Sequence, residues 1–166
     1  MSSAVIKQND KFRKQTSLKA MYFNRYLLIR YMIALLFFSN LYWMFTLIMS
    51  KSILFILPAT LLILWIAAII EQTKMYSNHK NNARFSMIAF LINGTCNLLQ
   101  IIMISVWDTN IFYPFVIDNY QNTLTVLIML LIGLLILLLG CIRLNAIKKN
   151  KDKHYQRILN YEKIIK

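Results

Sequence analysis

Glycine, proline and acidic residues are all scarce in this 166-residue sequence. Only three glycines and two prolines occur, which argues against an all-β fold with many short strands and turns. Six Asp and Glu residues stand against nineteen Lys and Arg residues, so the net charge is +13. The two cysteines, Cys96 and Cys141, are too few for a disulfide framework, and we expect both to be inert packing residues.

Motifs that carry enzyme chemistry are missing as well. The sequence contains no P-loop, dinucleotide-binding fingerprint, zinc signature or paired nucleophile and base. Its two histidines, His79 and His154, have no metal-ligand spacing. Because catalysis needs titratable groups in sheltered positions, we expect no enzyme, no cofactor and no metal site.

Four long apolar runs dominate what is present. They cover residues 31–49, 53–70, 85–107 and 124–142, and none of them contains Asp, Glu, Lys or Arg. Each is close to the ~20 residues that a helix needs to cross ~30 Å of hydrocarbon. Helices of a soluble bundle would instead carry a charged stripe. The sequence therefore predicts an all-α integral membrane four-helix bundle.

Almost all Lys and Arg residues lie in segments that would be on the same side of the membrane if the four runs cross it. Seven lie in residues 1–30, three in 71–84 and eight after residue 142, while Lys51 alone lies on the other side. This bias predicts that both termini are cytoplasmic. It divides the chain into a basic interfacial segment (1–30), a membrane domain (31–142) and a basic helical tail (143–166). Abundant Lys, Asn and Ile are associated with AT-rich genomes, so we expect the cell membrane of a low-GC Gram-positive bacterium.

The basic residues flank the apolar runs rather than forming a separate domain. In a soluble chain their number would suggest nucleic acid, but at this position anionic lipid headgroups are the expected partner and nucleic acid is not. The candidates for contact with the membrane surface are Lys11, Arg13, Lys14, Lys148, Lys149, Lys151 and Lys153.

The basic tail leaves two interpretations open. It is either a solvated helix, which could continue the fourth span, or a helix that binds a partner or the membrane. Tyr155, Ile158, Glu162 and Ile165 fall near one face of that helix and give it an interrupted apolar stripe.

The third run is the most polar of the four. At 100° per residue, Ser86, Asn93, Asn97 and Gln100 fall on one face of a helix. Amides are costly in lipid, so this face should point into the bundle. It either makes interhelical hydrogen bonds or forms a polar cleft for a small ligand or ion.

Depth in the membrane suggests which residues meet. Asn40 and Asn93 lie at similar distances from the basic ends of the first and third runs, so we expect them to contact each other. Gly94 and Gly133 also match in depth, and small residues allow two helices to approach closely. Glu71, at the end of the second run, is expected to pair with Lys74. The apolar loop 111–117 is expected to lie in the outer interface.

Parts of the sequence resemble a group of small multi-pass membrane proteins of streptococci and their relatives. The similar stretches are Phe23–Tyr31, Leu36–Trp43, and the ending with Tyr155, Tyr161, Glu162 and Lys163. Some members carry the label of a cellobiose-type phosphotransferase IIA subunit. That label implies a soluble helical bundle with a phosphorylated core histidine, whereas both histidines here lie in lysine-rich segments. The resemblance therefore implies a Gram-positive membrane protein and not phosphoryl transfer.

Two classes of function follow from these features. The first is a non-enzymatic accessory, assembly or immunity-type subunit that binds a larger membrane protein or a second copy of itself. The second is a small transporter or channel component, which could be associated with a sugar phosphotransferase system and would use the polar face of the third run. Recovery of a stable complex would favour the first, and solute flux that depends on Asn97 would favour the second.

Overall fold

The computed structural model describes residues 3–78, 83–107, 109–117 and 119–165, and this part of the chain is helical with no strand. Its helices are α1 (Ser3–Met49), α2 (Ile56–Asn78), α3 (Arg84–Val106), α4 (Tyr120–Lys148) and α5 (Lys153–Ile165). Short 3₁₀ turns cover Ile53–Phe55 and Thr109–Ile111. Helices α1 to α4 are long and apolar enough to cross a membrane, which confirms the all-α four-helix membrane bundle.

Three of the four spanning helices extend well past their apolar runs on the side where the basic residues cluster. The first, α1, has 47 residues and continues through residue 30 without a break. At 1.5 Å per residue it is about 70 Å long, more than twice the thickness of the hydrocarbon. Likewise α2 continues to Asn78 and α4 to Lys148. Residues 3–30 of the predicted interfacial segment therefore form the first part of α1.

The same backbone motif ends both α1 and α4. After α1, Lys51 has a positive φ of 54°, and the Ser52 amide donates to the Leu47 carbonyl. After α4, Asn150 has a φ of 53°, and the Lys151 amide donates to the Ala146 carbonyl. These are Schellman turns in which residues other than glycine adopt the left-handed conformation. The second one separates α4 from α5, so the basic tail begins within the last turns of α4 and continues after a turn as the separate helix α5.

The spanning helices pack in chain order, α1 against α2, α2 against α3 and α3 against α4, with a smaller contact between α1 and α4. Two apolar clusters fill the bundle. The larger one lies towards the basic side and centres on Trp65 and Phe90, whose rings meet edge to face at 5.1 Å. The smaller one lies towards the opposite side and includes Ile104, Phe112 and Leu130. Along the helices, the positions between the clusters hold Asn40, Asn93, Asn97 and Gly133.

Gly140 on α4 is the glycine packed tightly against a neighbouring helix, and Gly94 is not. A Cβ atom added to Gly140 would overlap the Phe90 ring. The same addition at Gly133 would lie 3.0 Å from the Asn97 amide nitrogen. At Gly94 it would meet no atom of a neighbouring helix within 4 Å. The prediction of close packing at Gly94 is corrected, because depth along a helix does not determine which way a residue faces.

Alanine substitutions at Gly140 and Gly94 should therefore have different effects. Gly140→Ala forces its methyl group against the Phe90 ring, which is fully buried against Trp65 and has no room to move. Overpacking of this kind costs about 1–3 kcal/mol. We expect Gly140→Ala to lower the thermal midpoint measured by circular dichroism in detergent. Gly94→Ala is the matched control and should leave it unchanged or slightly raised; equal effects of the two would contradict this packing.

Candidate functional site

Arg25 is the centre of the most elaborate polar cluster in the described chain. Its Nε and Nη2 atoms donate to the two carboxylate oxygens of Asp152 at 2.9 and 2.7 Å. Nη2 also donates to the Ile147 carbonyl at 3.1 Å and to the Asn150 side-chain oxygen at 2.9 Å. The guanidinium lies 4.7 Å from the centre of the Tyr155 ring. Both members of the ion pair are fully buried, so one arginine joins α1 to the end of α4 and the start of α5.

Asp152 has a second role as the N-terminal cap of α5. Its carboxylate accepts a hydrogen bond from the Tyr155 amide at 3.1 Å, as an N-cap residue does. Burial by itself would raise the pKa of Asp152, but the hydrogen bonds and charge of Arg25 outweigh it, and the pKa lies below its usual value. The pair therefore stabilises the folded state above the ordinary carboxyl pKa. This contribution is lost as the pH falls through the lowered pKa.

Helix α5 lies against α1 through the face that the sequence indicated. Ile158 is buried, and Tyr155 and Glu162 are half-buried. The Tyr22 hydroxyl of α1 donates to Glu162 at 3.4 Å. The opposite face of α5 is exposed and carries Lys153, Gln156, Arg157, Asn160 and Lys163. We call these five residues the outer face of α5.

The expected basic surface residues lie at this same end of the molecule, which we call the basic end. It comprises α1 up to Arg30, the last turns of α2 and α4, the first turn of α3, and α5. Arg13 and Lys14 on α1 are exposed, as are Lys148, Lys149, Lys151 and Lys153 around the turn before α5. The side chain of Lys11 and all of His79 lie outside the described residues. His154 is half-buried, and burial together with Arg143 and Arg157 lowers its pKa.

Glu71 caps the beginning of α3 instead of pairing with Lys74. Its carboxylate accepts from the Phe85 and Ser86 amides at 3.0 and 2.7 Å and from the Ser86 hydroxyl at 2.8 Å. Ser86, which is fully buried, also accepts from the Gln72 amide at 2.9 Å. The predicted pairing within α2 is wrong because two free amides at a helix N-terminus offer a carboxylate a stronger site than an exposed lysine.

The polar face of α3 points into the bundle, as its cost in lipid requires. Ser86, Asn93 and Gln100 are buried, and Asn97 is half-buried beside Gly133. The buried amide of Asn40 donates to the Leu36 carbonyl of its own helix at 2.7 Å. Asn93 makes no side-chain hydrogen bond within the described part of the chain, and its contact with Asn40 stays a prediction.

The loop after α3 closes the end of the bundle opposite the basic end. Tyr113 donates from its hydroxyl to the Gln100 side-chain oxygen at 2.8 Å, and its ring stacks on Trp43 at 5.8 Å. The Trp43 indole donates to the Phe112 carbonyl at 3.2 Å. Burial raises the pKa of Tyr113. Part of this apolar loop is thus folded inward over the bundle, while Phe115 and Ile117 remain exposed.

These clusters hold helices together. Within the described residues, no three His, Cys, Asp or Glu side chains come together as a metal site would require. Cys96 and Cys141 are free and half-buried. No protein-family model, curated protein or solved structure matches the chain.

The Arg25–Asp152 pair was missed at the level of sequence, although one signal was present. Asp152 is the only acidic residue in the basic stretch from Arg143 to Arg157. It follows a turn-forming Asn150 and precedes a helical pattern, which is where an N-cap belongs. Nothing in the sequence indicates which of the nineteen cations is its partner.

Removing Arg25 should release α5 from α1. Arg25→Ala leaves the Asp152 charge buried without its partner, which costs about 3–5 kcal/mol. If that cost is borne by undocking of α5, chymotrypsin should cleave after Tyr155 and Tyr161 at least about a hundredfold faster in detergent micelles. The matched control is Arg157→Ala, which removes an exposed arginine from the outer face of α5. Cleavage of Arg25→Ala at the wild-type rate would contradict the role assigned to the pair.

Proposed function

We propose that the protein is a non-enzymatic accessory, assembly or immunity-type subunit of a larger membrane complex. Its place would be the cell membrane of a low-GC Gram-positive bacterium, with both termini in the cytoplasm. The observation that carries the proposal is the buried Arg25–Asp152 pair, which holds an extramembrane helix in one position against α1. A helix that only solubilised the tail would need no such attachment.

The exposed surfaces fit this role. The outer face of α5 presents Lys153, Arg157 and Lys163 at a fixed position, where an acidic partner surface could bind them. In the most apolar stretch of each spanning helix, only 17–28% of the residues are buried inside the protein. The rest of that apolar surface is available to lipid or to the spans of another membrane protein, including a second copy.

A transporter or channel component is the second candidate. It is favoured by one observation: the Nε2 atom of the buried Gln100 has no hydrogen-bond partner in the described chain, and Asn93 has none either. Against it, Tyr113 covers Gln100 from the loop. Ser86 and Gln72 are occupied with each other.

A co-purification experiment tests the proposal. Tagged protein is isolated from its native membrane in a mild detergent, and its stoichiometric partner is quantified by mass spectrometry. The double variant Lys153→Glu with Arg157→Glu reverses two charges on the outer face of α5, and we expect recovery of the partner to fall about tenfold or more, the loss that roughly 1.4 kcal/mol of binding energy represents.

The control for this experiment is Arg13→Glu with Lys14→Glu, which makes the same charge change on α1 and should retain the partner. Recovery of a monomer without any stoichiometric partner would contradict the proposal, and so would an equal loss in both variants. Solute flux through reconstituted protein that disappears in Asn97→Leu would favour the transporter instead.

A further inference from the structure

A groove of about 320 Å³ opens between the first turns of α3 and the last turns of α4 at the basic end. The α3 wall consists of Ala83, Arg84, Met87 and Ile88, and the α4 wall of Leu144, Asn145 and Lys148. Asn93, Asn97 and Gln100 do not line it, so the groove is separate from the polar face of α3.

The polar residues of the groove are cationic and face each other across it. Arg84 stands on one wall and Lys148 on the other, with the amide of Asn145 next to Lys148 along the groove. Among the described residues, no carboxylate lines the groove. Glu71, the α2 residue that caps α3, is engaged with the Phe85 and Ser86 amides. Neither Arg84 nor Lys148 has an ion pair in the described part of the chain. The groove therefore attracts an anion.

The apolar residues of the groove lie on its membrane side. Arg84 immediately precedes the apolar run of α3, and Lys148 lies six residues beyond that of α4. Met87 and Ile88 continue from Arg84 into the apolar run of α3, and Leu144 lies one turn from Lys148 towards the apolar run of α4. Beyond them, Leu91 on α3 and Leu138 on α4 are about half-exposed. A ligand in the groove thus meets positive charge at the membrane surface and hydrocarbon one turn deeper.

This order of charge and apolar surface matches an anionic phospholipid. We propose that the groove binds one such lipid, with its headgroup phosphate between the Arg84 guanidinium and the Lys148 ammonium group. Arginine binds phosphate with two parallel hydrogen bonds, and lysine supplies a point charge. The acyl chains lie along Met87, Ile88 and Leu144. Basic pockets between spanning helices on the cytoplasmic side are a known form of lipid recognition.

Native mass spectrometry of the purified full-length chain tests this proposal. Delipidated protein is titrated with phosphatidylglycerol, with zwitterionic phosphatidylcholine and with inorganic phosphate. We expect one phosphatidylglycerol to bind with preference over phosphatidylcholine, and inorganic phosphate not to displace it. The double variant Arg84→Gln with Lys148→Gln should weaken phosphatidylglycerol binding about ten- to thirtyfold. This is the loss expected when two cations near the membrane surface no longer attract the lipid headgroup.

Two further variants separate the site from its surroundings. Lys19→Gln with Lys74→Gln removes the same charge at two exposed lysines outside the groove and should leave the affinity unchanged. Ile88→Trp keeps both cations but fills the half-exposed apolar wall, and it should weaken binding. Equal losses in the two charge variants would overturn the proposal in favour of a diffuse basic surface. Equal binding of both lipids would overturn it, as would displacement by inorganic phosphate. Circular dichroism checks that each variant remains folded.

Discussion

A charged group that is buried away from water needs a partner of opposite charge. Arg25 has such a partner, and its contacts hold α1, α4 and α5 together at the basic end. Its guanidinium is fully buried and reaches a carboxylate, a backbone carbonyl and an amide oxygen. The carbonyl belongs to the last turn of α4, and the carboxylate caps the first turn of α5. One side chain of α1 thereby contacts the end of α4 and the start of α5, and it attaches the turn between these two helices to α1.

The same requirement explains where polar residues lie within the spans. An unsatisfied amide or hydroxyl in hydrocarbon is costly, so the polar positions of α3 face inward. Ser86, Gln72 and Glu71 form one network near the basic end, and Gln100 and Tyr113 form another near the opposite end. Between the two apolar clusters lie Asn40, Asn93 and Asn97. Asn40 and Asn93 are buried at this level, which keeps their amides out of lipid.

The sequence was sufficient for features that depend on one helix at a time. The absence of charge in four runs predicts the spans, and the cost of amides in lipid predicts the inward face of α3. Features that depend on two distant segments were not accessible. Arg25 and Asp152 are separated by 127 positions, and Arg25 looks like any other basic residue near a membrane. Gly94 and Gly140 are both single glycines within an apolar run, and the sequence does not distinguish them. The rotation of α3 and α4 about their axes decides that Gly140 packs against the neighbouring helix and Gly94 does not. Glu71 was assigned to a near neighbour because its partner at the start of α3 is fixed by the fold.

The proposed interaction role depends on α5 being held by an ion pair and not merely lying beside α1. A double-mutant cycle with Arg25→Met, Asp152→Asn and their combination tests this most directly. The opening free energy of α5 is measured by hydrogen exchange of its backbone amides in lipid nanodiscs. If the two side chains stabilise each other, the single variants will each promote opening, and the double variant will show a coupling energy of about 1.5–3 kcal/mol. Additive effects with a coupling near zero would contradict the claim that this pair attaches α5 to the membrane domain.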